Sequence, residues 1–196
     1  MRIGIVCYPT YGGSGVVATE LGLALAAKGH QIHFITYKRP VRLTHYQENV
    51  FFHEVNTEEY PLFDYTPYDT TLTSKLVDVV KYEKLDLLHV HYAIPHATVA
   101  YLAKQILADE GIYIPVVTTL HGTDITLVGS DRSFAPVVAF SINQSDGVTA
   151  VSNHLRQQTC EQLKIKKEIE VIYNFIDFAR FSRLNKEHFR KAIAPD

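Results

Sequence analysis

Short β-branched, apolar runs alternate with longer stretches of helical periodicity along the 196 residues. Strand-like runs fall at residues 3–7, 32–36, 50–55, 87–91, 116–120, 147–150 and 170–172. Several are almost wholly apolar, the pattern of strands buried on both faces. Helical periodicity occupies 16–28, 74–83, 97–110, 136–143 and 154–163, and Gly29 and Gly111 directly follow the first and third of these. A glycine there supplies the left-handed turn that ends a helix. This alternation predicts an α/β fold, a Rossmann-like parallel sheet with helices on both faces. Ligands of such sheets bind outside the carboxyl ends of the strands. That rule selects four loops, 8–15, 91–96, 121–130 and 151–154, all rich in Gly, Thr, Tyr, His, Ser or Asn. Residues 56–69, with Tyr60, Phe63, Tyr65 and Tyr68, read as a long loop held down by its aromatics. The polar, basic stretch 185–196 reads as the start of a linker after a single domain spanning 1–184.

Composition narrows the classes. With 46% apolar and 20% charged residues the chain can build a core, which excludes a disordered or collagen-like protein. Residues 1–163 hold 11 basic and 16 acidic side chains, and 164–196 hold 8 and 5. A body at −5 does not attract nucleic acid or an anionic membrane surface, so neither partner is expected. No apolar run approaches the roughly 20 residues of a membrane span, and the N-terminal run is too short for a signal sequence. A cytoplasmic protein is the expectation. Two cysteines, Cys7 and Cys160, offer no disulfide framework and no metal knuckle, and both read as buried thiols.

The loops carry the candidate chemistry. Gly12-Gly13-Ser14-Gly15 joins the first strand to the first helix, where free N–H groups and partial positive charge suit an anion. Residues 13–18 also match G-x-G-x-x-A, the dinucleotide fingerprint. Against that reading, the loop is long, and the second strand ends in Lys38-Arg39 rather than an acidic residue for a ribose. An NADP enzyme and a purely structural turn stay open beside another kind of anion site. His89, His91 and His96 surround a strand end, but no carboxylate in that loop completes a metal site; His89 reads as core, with His91 or Tyr92 facing the site. His121 ends the fifth strand and can stabilise charge there, while Thr123 or Asp124 can serve as a helix N-cap. Nothing matches a nucleophile elbow, a phosphate-binding Gly-x4-Gly-Lys loop or His-Glu-x-x-His. The residues alone reach an α/β domain with an anion and polyol site, and a non-catalytic binding module remains an alternative.

Taken together, Gly12-Gly13-Ser14-Gly15, His89-Val90-His91-Tyr92, His121-Gly122-Thr123-Asp124, Val151-Ser152 and Asn174-Phe175-Ile176-Asp177 resemble the N-terminal domain of a retaining GT-B glycosyltransferase of family 4. Phe175 stands where most of that family has glycine at the domain hinge. Within the family, residues 7–17, 91–97 and 119–126 are similar to a subgroup that glycosylates L-malate. The resemblance implies transfer of N-acetylglucosamine from UDP-N-acetylglucosamine to the malate hydroxyl with retention, the first step of bacillithiol synthesis. It implies no metal and no cofactor. It also implies a second, donor-binding domain with an E-x7-E motif; no two glutamates here stand eight apart, so that half is expected to be missing and the fragment inactive alone. A homodimer is an open possibility. By position, Gly13 and Gly15 would hold the donor phosphates and sugar, and Ser14, Tyr92, Thr119 and Asn153 would bind malate. His121 would be the catalytic residue beside the transferred sugar, and Asn174 would mark the hinge side of the cleft. Front-face attack, with the leaving phosphate accepting the malate proton, needs no protein nucleophile. Another acceptor remains an alternative; a lipid one would call for a basic, apolar docking helix.

Overall fold

The structure is a computed structural model that describes residues 1–57, 64–178 and 181–182. Tyr60, Phe63 and the linker expected at 185–196 lie outside the described residues. Seven strands, β1 (Arg2–Val6), β2 (Gln31–Thr36), β3 (Val50–Glu54), β4 (Leu87–His91), β5 (Val116–Leu120), β6 (Gly147–Ala150) and β7 (Glu170–Val171), form one parallel sheet. Their order is β3-β2-β1-β4-β5-β6-β7, so the winding reverses between β1 and β4. Among the described residues five helices accompany them: α1 (Gly13–Ala27), α2 (Tyr68–Glu83), α3 (Thr98–Asp109), α4 (Ala135–Gln144) and α5 (Asn153–Gln162). Two wide helical turns, Ala93–Ala97 and Asp124–Val128, follow β4 and β5.

Alternation along each strand divides the core. Ile3, Ile5, Ile32 and Phe34 pack under α1. Val6, Ile35, Leu88, Val90 and Val116 pack with residues of α2 and α3, and Leu120, Val148 and Ala150 with residues of α4 and α5. Ile5, Phe34, Leu88 and Leu120 are fully buried, each contributing about 1.5–3 kcal/mol of apolar transfer. Among the described helices, α1 alone covers its face of the sheet. Beyond α1 that face bears His89, His91, Val117, Thr119 and Thr149, which line a cavity beside Val17 and Leu21 of α1. The topology therefore leaves a polar-edged opening where the ligand rule places one.

Three expectations change. Helix α2 begins at Tyr68 rather than 74, because Thr71 and Thr73 return their hydroxyls to the carbonyls of Pro67 and Asp69 while Leu72 is buried. Tyr65 is exposed and packs nothing down, whereas Tyr68 packs on the core from within the helix. Cys160 is exposed, since α5 buries its Leu155 and Thr159 face instead; Cys7 is buried, which pushes its thiol up to about 12. The glycine caps form as expected, with Gly29 at φ +87° and Gly111 at φ +77°.

Candidate active site at the strand ends

Helix α1 starts in the crevice where the sheet order reverses. Its N-cap, Gly12, has no side chain to satisfy the first-turn N–H groups, and no acidic residue lies in that turn. Those donors stay available to an anion. A Cβ on Gly15 would stand 2.3 Å from the Tyr8 carbonyl oxygen and 2.7 Å from that of Thr10. Only glycine permits the preceding loop to fold back on the helix start. A Cβ on Gly13 would meet nothing within 4 Å, so Gly13 presents open backbone instead. Ser14 is buried in the same turn.

The loop after β4 meets this turn through Tyr8, whose ring lies 5.4 Å from Tyr92 and 4.6 Å from His96 between centroids. Tyr92 adopts φ +89°, ψ 133°, a conformation costing a non-glycine residue about 1–3 kcal/mol. Three contacts hold it there. Its N–H donates to the Thr119 carbonyl at 3.0 Å, its hydroxyl shares a hydrogen bond with Thr123 at 2.7 Å, and its ring stacks on His121 at 5.5 Å. Strain held at a strand end by side chains from the next loop is a mark of a functional position.

Behind Tyr92 runs a polar row across the sheet. His91 Nδ1 and His121 Nε2 lie 2.9 Å apart, His89 Nε2 bonds the Thr119 hydroxyl at 2.7 Å, and Thr119 meets the Thr149 hydroxyl at 2.8 Å. His96 Nδ1 donates to the His91 carbonyl at 2.6 Å. Burial drives His89, His96 and His121 down to about 4 and His91 well below its usual value, so all four rings are neutral at pH 7. His121 is thus a neutral hydrogen-bonding group, and its bond to His91 leaves Nδ1 for a ligand.

Asp124 does more than the expected helix cap. Thr123 occupies the cap position without a side-chain bond, and Asp124 is buried. Its carboxylate accepts from the N–H groups of His121 at 3.2 Å, Gly122 at 2.9 Å and Ala93 at 3.2 Å. One side chain therefore ties the β4 and β5 loops together.

Two cavities flank α1. The first, about 230 Å³, is lined by Thr119, His89, His91, Tyr173, Asn174 and neighbours. The second, about 300 Å³, is lined by Gly13, Glu20, Arg42, Asn174, Asp177 and neighbours. Of the expected site residues, Gly13, Thr119 and Asn174 line these spaces. Asn153 opens α5 and donates from Nδ2 to the Tyr173 hydroxyl at 2.9 Å, which links it to the first cavity. His89, expected in the core, lines that cavity too, and His91 is fully buried beneath it. The sequence reading passed over Tyr8, Arg42 and the loop-tying role of Asp124. Arg42, salt-bridged to Glu20 at 2.9 Å, follows the basic pair Lys38-Arg39, the one sequence signal that a cation belongs near this crevice.

Known proteins share this architecture. The chain is 53% identical over 193 residues to N-acetyl-alpha-D-glucosaminyl L-malate synthase of Bacillus anthracis, covering 96% of this chain and 50% of the relative. It superposes on sucrose-phosphate synthase from Thermosynechococcus elongatus with a TM-score of 0.72 at 14% identity, covering 100% of this chain and 53% of that one. The Anabaena protein HepE, solved in complex with UDP-glucose, matches with a TM-score of 0.73 at 16% identity over 98% of this chain and 50% of that one. These likenesses bear on the fold, a Rossmann-like half of the GT-B architecture, and the chain spans about half the length of these three proteins. Residues 11–180 match the family described as Glycosyltransferase Family 4, and the chain belongs to that family.

Proposed function

We propose that this chain is the acceptor-binding half of a cytoplasmic retaining transferase that moves N-acetylglucosamine from UDP-N-acetylglucosamine to the hydroxyl of L-malate. The observation that carries the reading is 53% identity, across nearly the whole chain, to a protein named for that reaction. The strand-end geometry supports it. Malate is a dianion, and the crevice offers the uncapped start of α1, with Arg42 beside Gly13 in the second cavity. Tyr92 after β4, Thr119 near the end of β5 and Asn153 at the start of α5 supply hydroxyl and amide donors, although the Thr119 hydroxyl already serves His89 and Thr149. Thr119 therefore acts on malate by ordering that row. His121 offers its neutral ring to the transferred sugar, with orientation set by His91, Tyr92 and the Asp124 tie.

In this reading the chain supplies positioning and dipoles. The leaving phosphate takes the malate proton as the new glycosidic bond forms on the same face, and no side chain forms a covalent intermediate. The nucleotide belongs to a second domain. Full-length enzyme should form N-acetylglucosaminyl malate and UDP in equal amounts, detected by mass spectrometry. This 196-residue chain given both substrates should yield no product above background. Efficient turnover of another acceptor, with malate inert, would replace the malate reading, and turnover by this chain alone would end the two-domain reading.

A further inference from the structure

We propose that His33, His53 and Glu83 form a binding site for a divalent transition-metal ion of the zinc type, on the α2 face of the β2–β3 edge. His33 and His53 come from adjacent parallel strands, and Glu83 is the last residue of α2. His33 Nδ1 and His53 Nε2 lie 2.9 Å apart, with their rings 17° from parallel. One ligand atom from each of the three residues lies within 4.8 Å of the others. Donors bound at about 2.0–2.2 Å around a tetrahedral ion stand roughly 3.3 Å apart. The imidazole pair is already near that spacing, and a swing of the Glu83 side chain closes the third arm.

The surroundings hold the pair in place. His33 is 1% exposed, so packing fixes its ring before any ion arrives. Phe51 stacks on His33 at 4.8 Å and walls one side. On the other side a cavity of about 540 Å³ is lined by His53 and Glu83 together with Asp78, Lys75, Lys81 and Tyr82. That space gives an ion an entry path and a fourth position for water. Lys81 is engaged by Glu110, and Arg2 donates to the Glu83 carbonyl, which leaves the Asp78 and Glu83 carboxylates facing Lys75 in the cavity. His33 and His53 share one hydrogen bond, so one of the two facing nitrogens carries its hydrogen; a change of tautomer that moves it to the far ring nitrogen gives an ion both lone pairs in exchange for that bond. Two imidazoles and a carboxylate with one open position suit zinc, and cobalt as its spectroscopic substitute.

The sequence reading expected no metal because it weighed only the strand-end histidines. Position 33 and position 53 lie in separate strands with hydrophobic neighbours, and Glu83 ends a helix. No local spacing announces them. The site is independent of the transferase reading, since its elements bind nothing assigned to malate or the sugar nucleotide.

The test is a Co²⁺ titration of untagged, chelator-stripped protein, followed by visible absorption and then by displacement with Zn²⁺. One equivalent of cobalt with d–d bands of low coordination number, bleached by zinc, is expected. His53→Gln and Glu83→Gln should each weaken cobalt binding at least ~10-fold, the lower bound set by losses at groups that merely orient metal ligands. His45→Gln, at an exposed position away from the cluster, should bind as wild type. Circular dichroism checks that each variant is folded, and the wild-type titration stands without any of them. Absence of stoichiometric binding in the wild type overturns the proposal. So does wild-type affinity in both cluster variants.

Discussion

Two groups of histidines sit on this sheet, and the contrast between them separates the two regions. At the strand ends His89, His91, His96 and His121 bond to a hydroxyl, a carbonyl and one another. At the β2–β3 edge His33 and His53 share one bond, beside a glutamate and an open cavity. The first group is a network whose members orient Tyr92 and His121; Asp124, the nearby carboxylate, already accepts from three backbone N–H groups. The second has a carboxylate to spare. Clustered histidines alone therefore do not identify a metal site. What the neighbouring carboxylate is already doing decides it.

Acid should produce the largest effect, and both groups contribute to it, since burial lowers His33 and His53 as it lowers the strand-end rings. For a buried histidine the folded pKa lies below the unfolded value near 6.5, so the unfolded chain binds more protons as pH falls. Stability is fully present above about 6.5 and drains away toward about 4, the window set by His89, His96 and His121. For fully buried His96 the loss at pH 5 is roughly 2 kcal/mol. Urea melts at pH 7.5 and pH 5 should show a loss several times larger than that of one histidine. His96→Gln should remove about one histidine's share of the pH dependence. A flat profile would mean these rings are solvated.

Next in size, Gly15→Ala in the full-length enzyme should strike the strand-end region alone. Its Cβ collides with the Tyr8 and Thr10 carbonyls, so about 1–3 kcal/mol of stability and roughly 100-fold of transfer activity should be lost. Gly13→Ala should leave the melting temperature within a degree or two of wild type, because its Cβ meets nothing. Cobalt binding at the sheet edge should be unchanged in both. Equal melting curves for the two glycine variants would break the account of the helix start.

Tyr92→Phe and Asn153→Ala test the acceptor side with a smaller effect. Each removes one donor to a charged ligand, ~1.5–3 kcal/mol, so malate use should fall by roughly 10–100-fold with little change for the sugar nucleotide. His121→Ala should lower kcat more than it raises the KM for malate. Wild-type malate kinetics in Tyr92→Phe and Asn153→Ala would withdraw those residues from the pocket.

The smallest effect is expected from chelation. Removing metal from the His33–His53–Glu83 site should leave transfer within about twofold, because none of the strand-end histidines belongs to that cluster. Parallel loss of activity and metal would join two regions that the fold keeps separate.

By itself the sequence determined the layers and pointed to the strand ends as the place of the candidate site. Alternating apolar runs and helical periods are local properties, and they placed all seven strands within a residue or two of where they lie. Glycine caps at Gly29 and Gly111 were legible because a left-handed turn restricts residue type at one position. The loops at 8–15, 91–96 and 121–130 came from the rule that parallel strands gather their loops at one end. Only the tertiary structure decided which polar groups meet. The Tyr8 contact with His96, the Asp124 tie to Ala93 and the Arg42 position beside Gly13 join residues dozens of positions apart, and none leaves a local pattern. The same holds for His33, His53 and Glu83, which strand register and the length of α2 bring together. Hydrophobic burial acts through period and is written along the chain, whereas a hydrogen-bond network needs precise distances that exist only once the sheet is assembled.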